Sequence, residues 1–277
     1  MIQNMKKFWC FIALVCASIS ASAKDPVTVH SHNDYKRDVP FHQAYAQKIT
    51  SIECDMYYVG SDDFYVGHEL EETTPDVNFD NKYLEPVLEL YRNNGGHAWA
   101  DDPERPLQLL VEIKSDDPDE FLKALVRKLS RYPEVFDPAV NPKACRIVMT
   151  GNLPEPADWD RYPSFITFDG LLEKKYTPQQ LERVAIISEC FDNYSHWKGE
   201  GSMSRKDFKA IREAVSKAHS MGKPIRFWGC PDNVTTWSAW ISLGIDYLNT
   251  DQPELCRRFL SGRMAGSTAS KKKQTGR

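Results

Sequence analysis

The chain has 277 residues, with 35 lysine and arginine residues against 39 aspartate and glutamate residues, and a formal net charge of −4 at pH 7. This length fits one large domain or two small ones. All of the acidic residues lie between residues 24 and 260, so this segment is more acidic than the chain as a whole. Its net negative charge argues against a nucleic-acid-binding surface, because such a surface would be basic. The acidic composition instead suits a small substrate and a bound cation.

The first 23 residues have the layout of a secretory signal peptide. Lys6 and Lys7 precede an apolar stretch over residues 8–19, and Ala21-Ser22-Ala23 resembles an A-x-A cleavage site. The apolar stretch is too short to span a bilayer comfortably. We therefore expect cleavage after Ala23 and an exported protein, periplasmic or secreted, with no stable membrane insertion.

Strands and helices alternate along residues 24–260. Apolar, β-branched runs predict eight strands, at Val27–His32, Ser51–Tyr58, Leu107–Lys114, Arg146–Gly151, Phe165–Gly170, Val184–Cys190, Pro224–Gly229 and Asp246–Asp251. Helices are predicted at Phe41–Lys48, Asn81–Asn93, Pro118–Arg131, Ser204–Met221 and Asn233–Leu243. Alternating strands and helices imply parallel pairing with right-handed crossovers. Eight strands over this length match the roughly 250 residues typical of a (β/α)8, or TIM, barrel.

We therefore expect an α/β fold in which residues 24–260 form one TIM-barrel domain. Residues 261–277 are rich in Gly, Ser and Lys without apolar periodicity, which predicts a disordered basic tail. No G-x-G-x-x-G or G-x-x-x-x-G-K-[ST] motif occurs, which argues against dinucleotide or nucleoside triphosphate binding. The cysteines beyond residue 23 are odd in number and scattered, so they do not predict a disulfide framework.

Acidic side chains occur late in two predicted strands, where barrel enzymes form their active sites. Glu53 and Asp55 stand two apart in the second strand, so that both carboxylates point to the same face, and Glu112 lies near the end of the third. Acids in a buried strand are costly unless a cation neutralises them. Carboxylate oxygens are the ligands that Mg²⁺ and Ca²⁺ prefer. The sequence therefore predicts a divalent metal site, Mg²⁺ or Ca²⁺, at Glu53, Asp55 and Glu112.

Histidines accompany these carboxylates. His32 ends the first predicted strand, and His68 follows Asp55 by thirteen residues. Imidazole has an unperturbed pKa near neutrality and suits giving or taking a proton. His30 lies on the same side of the strand as His32 and is predicted to support the site. Together these residue types indicate metal-assisted acid–base hydrolysis.

A set of short motifs runs in fixed order through about residues 27–255. The motifs are His32, Glu53-x-Asp55, Gly67-His68, Glu112-Ile113-Lys114, Trp228 and Asn249-Thr250-Asp251-x-Pro253. This order resembles the glycerophosphodiester phosphodiesterase family, within the superfamily of barrel phosphodiesterases related to phosphatidylinositol-specific phospholipase C. The form Ser31-His32-Asn33-Asp34-Tyr35 looks like a separate branch of that family.

The resemblance implies a phosphoric diester hydrolase that acts on a small phosphodiester. It implies that His32 and His68 are the catalytic histidines, and that Glu53, Asp55 and Glu112 are the metal-binding carboxylates. Lys114 would contact phosphate, and Asn33 and Trp228 are further expected substrate contacts. The family usually has Arg directly after its first histidine, where this chain has Asn33, and the Pro-Glu-Asn segment that normally follows is missing. The substrate therefore cannot be copied from the family name.

Two alternatives to a phosphodiester hydrolase remain at this point. We expect the protein to be a monomer. In amidohydrolase-like barrels, a His-x-His pair such as His30 and His32 holds the metal, and Asp251 on the last strand would fit that arrangement. Such enzymes also place histidines on their fifth and sixth strands, and the corresponding strands here contain none. The other alternative is a non-catalytic barrel that binds a phosphoinositide-like headgroup, although the complete set of acid, base and ligand residues argues against it.

Overall fold

The computed structural model describes the backbone of residues 27–274 and the side chains of residues 27–263. The predicted signal peptide, residues 1–23, lies outside this range. Within the described part of the chain, no helix combines the length and the apolar character that crossing a bilayer would require.

Within residues 27–274, nine strands form one sheet, and eight of them close into a parallel barrel. The strands are β1 (Thr28–Ser31), β2 (Ser51–Gly60), β3 (Asp63–Val66), β4 (Gln108–Ile113), β5 (Arg146–Gly151), β6 (Ile166–Gly170), β7 (Val184–Cys190), β8 (Ile225–Trp228) and β9 (Tyr247–Thr250). Their order is β1-β9-β8-β7-β6-β5-β4-β2-β3, and β1 also pairs with β2. This last pairing closes the barrel, so the predicted TIM barrel is confirmed.

Helices surround the barrel and connect its strands. They are α1 (His42–Ala46), α2 (Glu85–Asn93), α3 (Pro118–Leu129), α4 (Pro133–Phe136), α5 (Pro178–Arg183), α6 (Arg205–Ser220), α7 (Val234–Leu243) and α8 (Pro253–Gln274), with a π-helical turn at Asp80–Leu84 leading into α2. Helix α6 begins as its sequence predicts, because the Ser204 side chain accepts from the Asp207 backbone N–H. The sequence did not predict the short helix α5, although Thr177 and Gln180 form a capping box at its start.

The antiparallel strand β3 is the main feature that the sequence did not predict. It forms a hairpin with the far end of β2, and the turn contains Ser61 and Asp62 at positive φ angles of 53° and 62°. Two consecutive positive φ angles are typical of a type I′ hairpin turn, which usually contains Asn-Gly or Asp-Gly. Because this turn lacks that pair, its signal was weak. The hairpin matters because His68 follows directly after β3.

The register between neighbouring strands determines where the acidic side chains lie. Glu53 of β2 is level with Leu110 of β4, and two residues later Asp55 is level with Glu112. Leu110 packs with Val148 and Ile186 in a small apolar cluster that is separate from the main core. Glu112 therefore lies one side-chain layer beyond this cluster, toward the carboxyl ends of the strands.

Helix α8 continues past residue 261, where the sequence predicts a disordered tail. The helix starts in the packed part of the protein, where Cys256 is fully buried and the Phe259 ring contacts Trp237. Beyond Phe259, the rest of the helix contains Ala, Lys and Gln, which are good helix formers, and no proline interrupts it. The backbone is therefore helical to Gln274, and the predicted tail differs from the structure in this respect.

Candidate active site

Three carboxylates meet at the carboxyl ends of β2 and β4. Glu53, Asp55 and Glu112 each offer an oxygen, and these atoms lie within 4.8 Å of one another. Glu53 and Asp55 are almost fully buried, and Glu112 is partly buried. Since all the donors are carboxylate oxygens, the cluster has the hard ligands that Mg²⁺ and Ca²⁺ bind.

Asp55 has the most informative contacts in this cluster. Its Oδ2 accepts a hydrogen bond from the Tyr35 hydroxyl at 3.0 Å and lies 3.5 Å from the Lys114 ammonium. Its Oδ1 is buried and has no hydrogen-bond partner. Burial, with the charges of Glu112 and Glu53, raises the pKa of Asp55 to about 7. A buried carboxylate oxygen without a partner is costly, so this atom fits a cation ligand.

Glu53 is held by His30 and Arg226. Although burial opposes ionisation, the hydrogen bond with His30 and the charge of Arg226 lower the pKa of Glu53 to about 2. His30 Nε2 lies 2.9 Å from Glu53 Oε2 and 2.9 Å from Arg226 Nη1, and His30 Nδ1 lies 2.8 Å from Ser51 Oγ. Burial, and then the charge of Arg226, lower the pKa of His30 to about 4, so the ring is neutral near pH 7.

His30 is therefore engaged through both ring nitrogens by protein groups. The candidate metal-binding group among the described residues contains three carboxylates and no histidine. The amidohydrolase-like alternative, in which His30 and His32 would bind the metal, gains no support from this geometry.

His32 lies at the start of the loop after β1 and contacts Asp251, which directly follows β9. Its Nδ1 is 2.9 Å from Asp251 Oδ1, and about a quarter of its side chain is exposed. Burial would lower the pKa of His32, but the hydrogen bond to Asp251 and the charge of Glu53 raise it above its ordinary value. The same contact helps to lower the pKa of Asp251 against its own burial. Since an ionised carboxylate only accepts, Nδ1 must carry the proton, which leaves Nε2 free to face a substrate.

His68 is positioned by the β2–β3 hairpin. The backbone N–H of Gly67 donates to the Asp55 carbonyl at 3.1 Å, and the Tyr57 hydroxyl donates to the His68 carbonyl at 3.0 Å. The ring is about half exposed, and its Nδ1 lies 2.7 Å from Glu69 Oε1. These backbone contacts hold His68 next to the carboxylate strand, although its side chain remains accessible.

One cavity brings these groups together. It has a volume of about 550 Å³ and is lined by His32, His68, Glu53 and Glu112 among others. Its wall also contains apolar residues from the loops after β5 and β6, and at the end of β8: Leu153, Pro154, Pro156, Leu171 and Trp228. Trp228 is 44% exposed and lies in the cavity wall, and its role as a substrate contact stays a prediction. The cavity thus has a side with Glu53, Glu112 and the histidines, and a side on which these apolar residues lie beside Glu155 and Lys174.

Two predicted substrate contacts, Lys114 and Asn33, are not among the lining residues. Lys114 Nζ lies 3.0 Å from Glu112 Oε1 and contacts Asp55, so its charge is directed at the carboxylate cluster. The Asn33 side chain is used within the protein, between Tyr35 and Asp251. A phosphate contact by Lys114 and a substrate contact by Asn33 both stay predictions.

The structure adds a buried polar network on the cavity floor that the sequence indicated only in part. Arg226 is 4% exposed and lies 3.4 Å from Asp169 Oδ2, which also accepts from the Thr150 hydroxyl at 3.0 Å. Arg226 also donates to Asn249 at 3.1 Å. An arginine within the apolar run Ile225-Arg226-Phe227 was a visible signal, but its partners lie on other strands.

Gly151 permits the close packing of Glu112. A Cβ at this position would lie 2.6 Å from Glu112 Cγ, and the φ angle of Gly151 is +80°. The residue at the end of β5 must therefore be glycine for β4 and β5 to keep Glu112 where it is.

The comparisons with known proteins agree with this fold. The family model described as an AIM6-like phosphodiesterase domain matches residues 19–155. Altered inheritance of mitochondria protein 6 from Saccharomyces cerevisiae is 26% identical over 287 residues, covering 86% of this chain and 72% of the relative. The homolog of that protein from Arthroderma benhamiae is 25% identical over 272 residues, covering 84% of each chain.

Solved structures share the barrel. A glycerophosphodiester phosphodiesterase from Parabacteroides distasonis gives a TM-score of 0.53 at 14% identity, covering 86% of this chain and 98% of that one. A phosphodiesterase from Oleispira antarctica in complex with the product sn-glycerol-3-phosphate gives 0.51 at 14% identity, covering 84% and 96%. These structures show that the chain shares the TIM-barrel fold. Within it, residues 19–155 match the AIM6-like phosphodiesterase domain, and the resemblance predicted from the motifs is confirmed.

These relatives correct one prediction from the sequence. The expectation of an exported protein is wrong, because the yeast relatives, named for the inheritance of mitochondria, point to an intracellular protein. The expectation rested on the basic and apolar residues 1–23. Basic segments free of acidic residues also direct proteins to compartments inside the cell, so this composition does not by itself define export.

Proposed function

We propose that the protein is a metal-dependent phosphodiester hydrolase that uses His32 and His68 for proton transfer. The observation that carries this proposal is that Glu53, Glu112 and the two histidines line one cavity at the carboxyl end of the barrel, with Asp55 within 4.8 Å of the other two carboxylates. This end of a TIM barrel is where active sites form. The AIM6-like phosphodiesterase match and the shared barrel support the reaction class.

Glu53, Asp55 and Glu112 would hold the divalent cation, Mg²⁺ or Ca²⁺. When bound, such a cation polarises phosphoryl oxygens and neutralises charge that develops on them. The unpartnered Oδ1 of Asp55 and the ionised Glu53 fit this role. Lys114, which contacts two of these carboxylates, adds positive charge at the same place and would assist in holding the phosphate.

The two histidines would move the protons. One takes a proton from the nucleophile, either water or a hydroxyl of the substrate, and the other gives a proton to the leaving alkoxide. Asp251 fixes the Nδ1 proton of His32, so that Nε2 is the atom available for this exchange. His30 would orient Glu53 and take no proton, because both of its nitrogens are engaged and its pKa is about 4.

The test is a panel of phosphodiesters assayed after EDTA treatment and again after each metal is restored. Glycerophosphodiesters, simple alkyl phosphodiesters and bis(4-nitrophenyl) phosphate cover the possible alcohols. We expect EDTA to abolish turnover and Mg²⁺ or Ca²⁺ to restore it. The variant Glu112→Gln should remain inactive at the same metal concentration. The control Glu213→Gln, on an exposed and distant ion pair with Lys209, should behave as wild type.

Full turnover in EDTA, or rescue by Zn²⁺ alone, would overturn the metal assignment. Saturable binding of phosphodiesters without any turnover would instead identify the non-catalytic headgroup-binding barrel. The monomeric state stays a prediction, which light scattering on the purified protein checks.

A further inference from the structure

The hydroxyl of Tyr35 bridges the carboxylate cluster and the first loop of the barrel. It lies 3.0 Å from Asp55 Oδ2 and 2.8 Å from Asn33 Oδ1. A phenol is protonated near pH 7, so this hydroxyl is a donor, and its single proton is shared between these two acceptor oxygens. The hydroxyl contacts Oδ2 of Asp55, whereas the other oxygen, Oδ1, has no hydrogen-bond partner and remains available to a cation.

The torsion that turns a carboxylate is soft, so something must fix it if one particular oxygen is to face a cation. Asp55 Oδ2 has two neighbours that can do this, the Tyr35 hydroxyl at 3.0 Å and the Lys114 ammonium at 3.5 Å. The hydroxyl contact is the shorter of the two. A hydrogen bond to a charged carboxylate is also stronger than one between neutral groups. Tyr35 therefore sets which oxygen of Asp55 is presented.

Asn33 extends this contact to the first histidine. Its Nδ2 donates to Asp251 Oδ1 at 3.1 Å and lies 2.8 Å from His32 Nδ1. Because His32 Nδ1 also contacts Asp251 Oδ1, this one oxygen accepts hydrogen bonds from both Asn33 and His32. The backbone of Asn33 has φ 48° and ψ 41°, in the left-handed region that asparagine tolerates better than most residues. A continuous chain of contacts thus runs from Asp55 through Tyr35 and Asn33 to Asp251 and His32.

We propose that Tyr35 and Asn33 are positioning residues that hold the metal-binding carboxylate and the proton-transferring histidine in one arrangement. Neither residue is among those that line the cavity, and each contacts a neighbour that is proposed to act at the site. Tyr35 orients Asp55, and Asn33 orients His32 through Asp251. This inference rests on the function proposed above for the same site.

The first test measures cation binding without substrate. Titration calorimetry with Mg²⁺ and with Ca²⁺ compares wild type, Tyr35→Phe and the control Tyr45→Phe. The Tyr45 hydroxyl donates to the Ala98 carbonyl, which also accepts from Asn94, so its loss leaves that acceptor satisfied. Residues that orient metal ligands typically contribute about 10–100-fold in metal affinity. We expect a loss of this size in Tyr35→Phe alone, with the melting temperature of the metal-free protein unchanged.

Equal affinities in Tyr35→Phe and wild type would overturn the inference while the proposed function stands. A wild-type protein that binds neither cation would overturn both. The two failures are therefore distinguishable in the same titration.

The second test separates positioning from substrate contact at Asn33. Asn33→Gly keeps the left-handed backbone accessible and removes only the amide. We expect kcat to fall about tenfold, as for other groups that orient a functional side chain, with KM unchanged. A rise in KM at unchanged kcat would show that Asn33 contacts substrate directly, and unchanged kcat and KM would show that it has no role. Either result would overturn the assignment of Asn33.

Discussion

Substitution of Gly151 by alanine tests whether the exact position of Glu112 matters for the carboxylate cluster. The new Cβ would lie 2.6 Å from Glu112 Cγ and 2.7 Å from the carbonyl oxygen of Ile113. Carbon atoms pack at about 3.5–4.0 Å, so the Glu112 side chain must retreat by about 1 Å. Metal ligand distances are fixed to within about 0.2 Å, so a shift of this size should remove Glu112 from productive coordination.

The cost in stability has two parts, which a second glycine separates. A residue with a Cβ in the left-handed region costs about 1–2 kcal/mol, and overpacking of a filled region costs a further 1–3 kcal/mol or so. Gly222, after helix α6, has a φ angle of +70°, but a Cβ there would meet nothing within 4 Å. Gly222→Ala therefore measures the backbone part alone. Gly151→Ala should destabilise by about 2–5 kcal/mol in total, because both parts apply.

Urea denaturation gives the two free energies of unfolding, and calorimetry gives the affinity for Mg²⁺ or Ca²⁺. We expect Gly222→Ala to bind the cation as wild type does, and Gly151→Ala to bind it at least tenfold more weakly. If the two variants lose the same stability and retain the same affinity, the close approach of Glu112 to β5 does not position the carboxylate, and the reasoning is refuted.

Four further predictions use the same protein and assays. His32→Ala and His68→Ala should each lower kcat by about 10²–10⁴, with cation affinity little changed, and a nitrophenyl phosphodiester should restore whichever variant lost the general acid. His30→Ala should instead weaken cation binding about 10–100-fold, because His30 holds Glu53 in place. Equal losses of cation affinity in all three histidine variants would contradict these roles. A cation at 100 times its Kd should stabilise wild type by about 2.7 kcal/mol in thermal unfolding but leave Glu112→Gln unaffected. Trp228→Ala should raise KM more than it lowers kcat, since this exposed ring lines the cavity away from the carboxylates, and a purely catalytic loss would argue against a substrate contact.

The barrel could be predicted because its signals are local. Each of the eight parallel strands is an apolar run of ordinary length, and alternation with helices restricts the topology to a few forms. The bounds agree fully for β5 and β7 and differ at the ends of the others. Strand β3 could not be predicted in the same way, because it has only four residues, of which Phe64 and Val66 are buried, and it follows a turn without the usual hairpin pair. Its existence depends on pairing with β2, which is a tertiary contact.

The carboxylate cluster could be predicted because strand alternation fixes the direction of Glu53 and Asp55, and parallel register brings Glu112 level with Asp55. The environment of each acid could not be predicted, because it depends on groups that are far away in the chain. Arg226 and His30 keep Glu53 ionised, while burial and the two neighbouring carboxylates raise the pKa of Asp55. Two acids of the same strand, two positions apart, therefore have pKa values that are shifted in opposite directions. The sequence predicts a cation at this place, but only the packed structure shows that protein groups already stabilise Glu53 as an anion, whereas the surroundings of Asp55 oppose its ionisation.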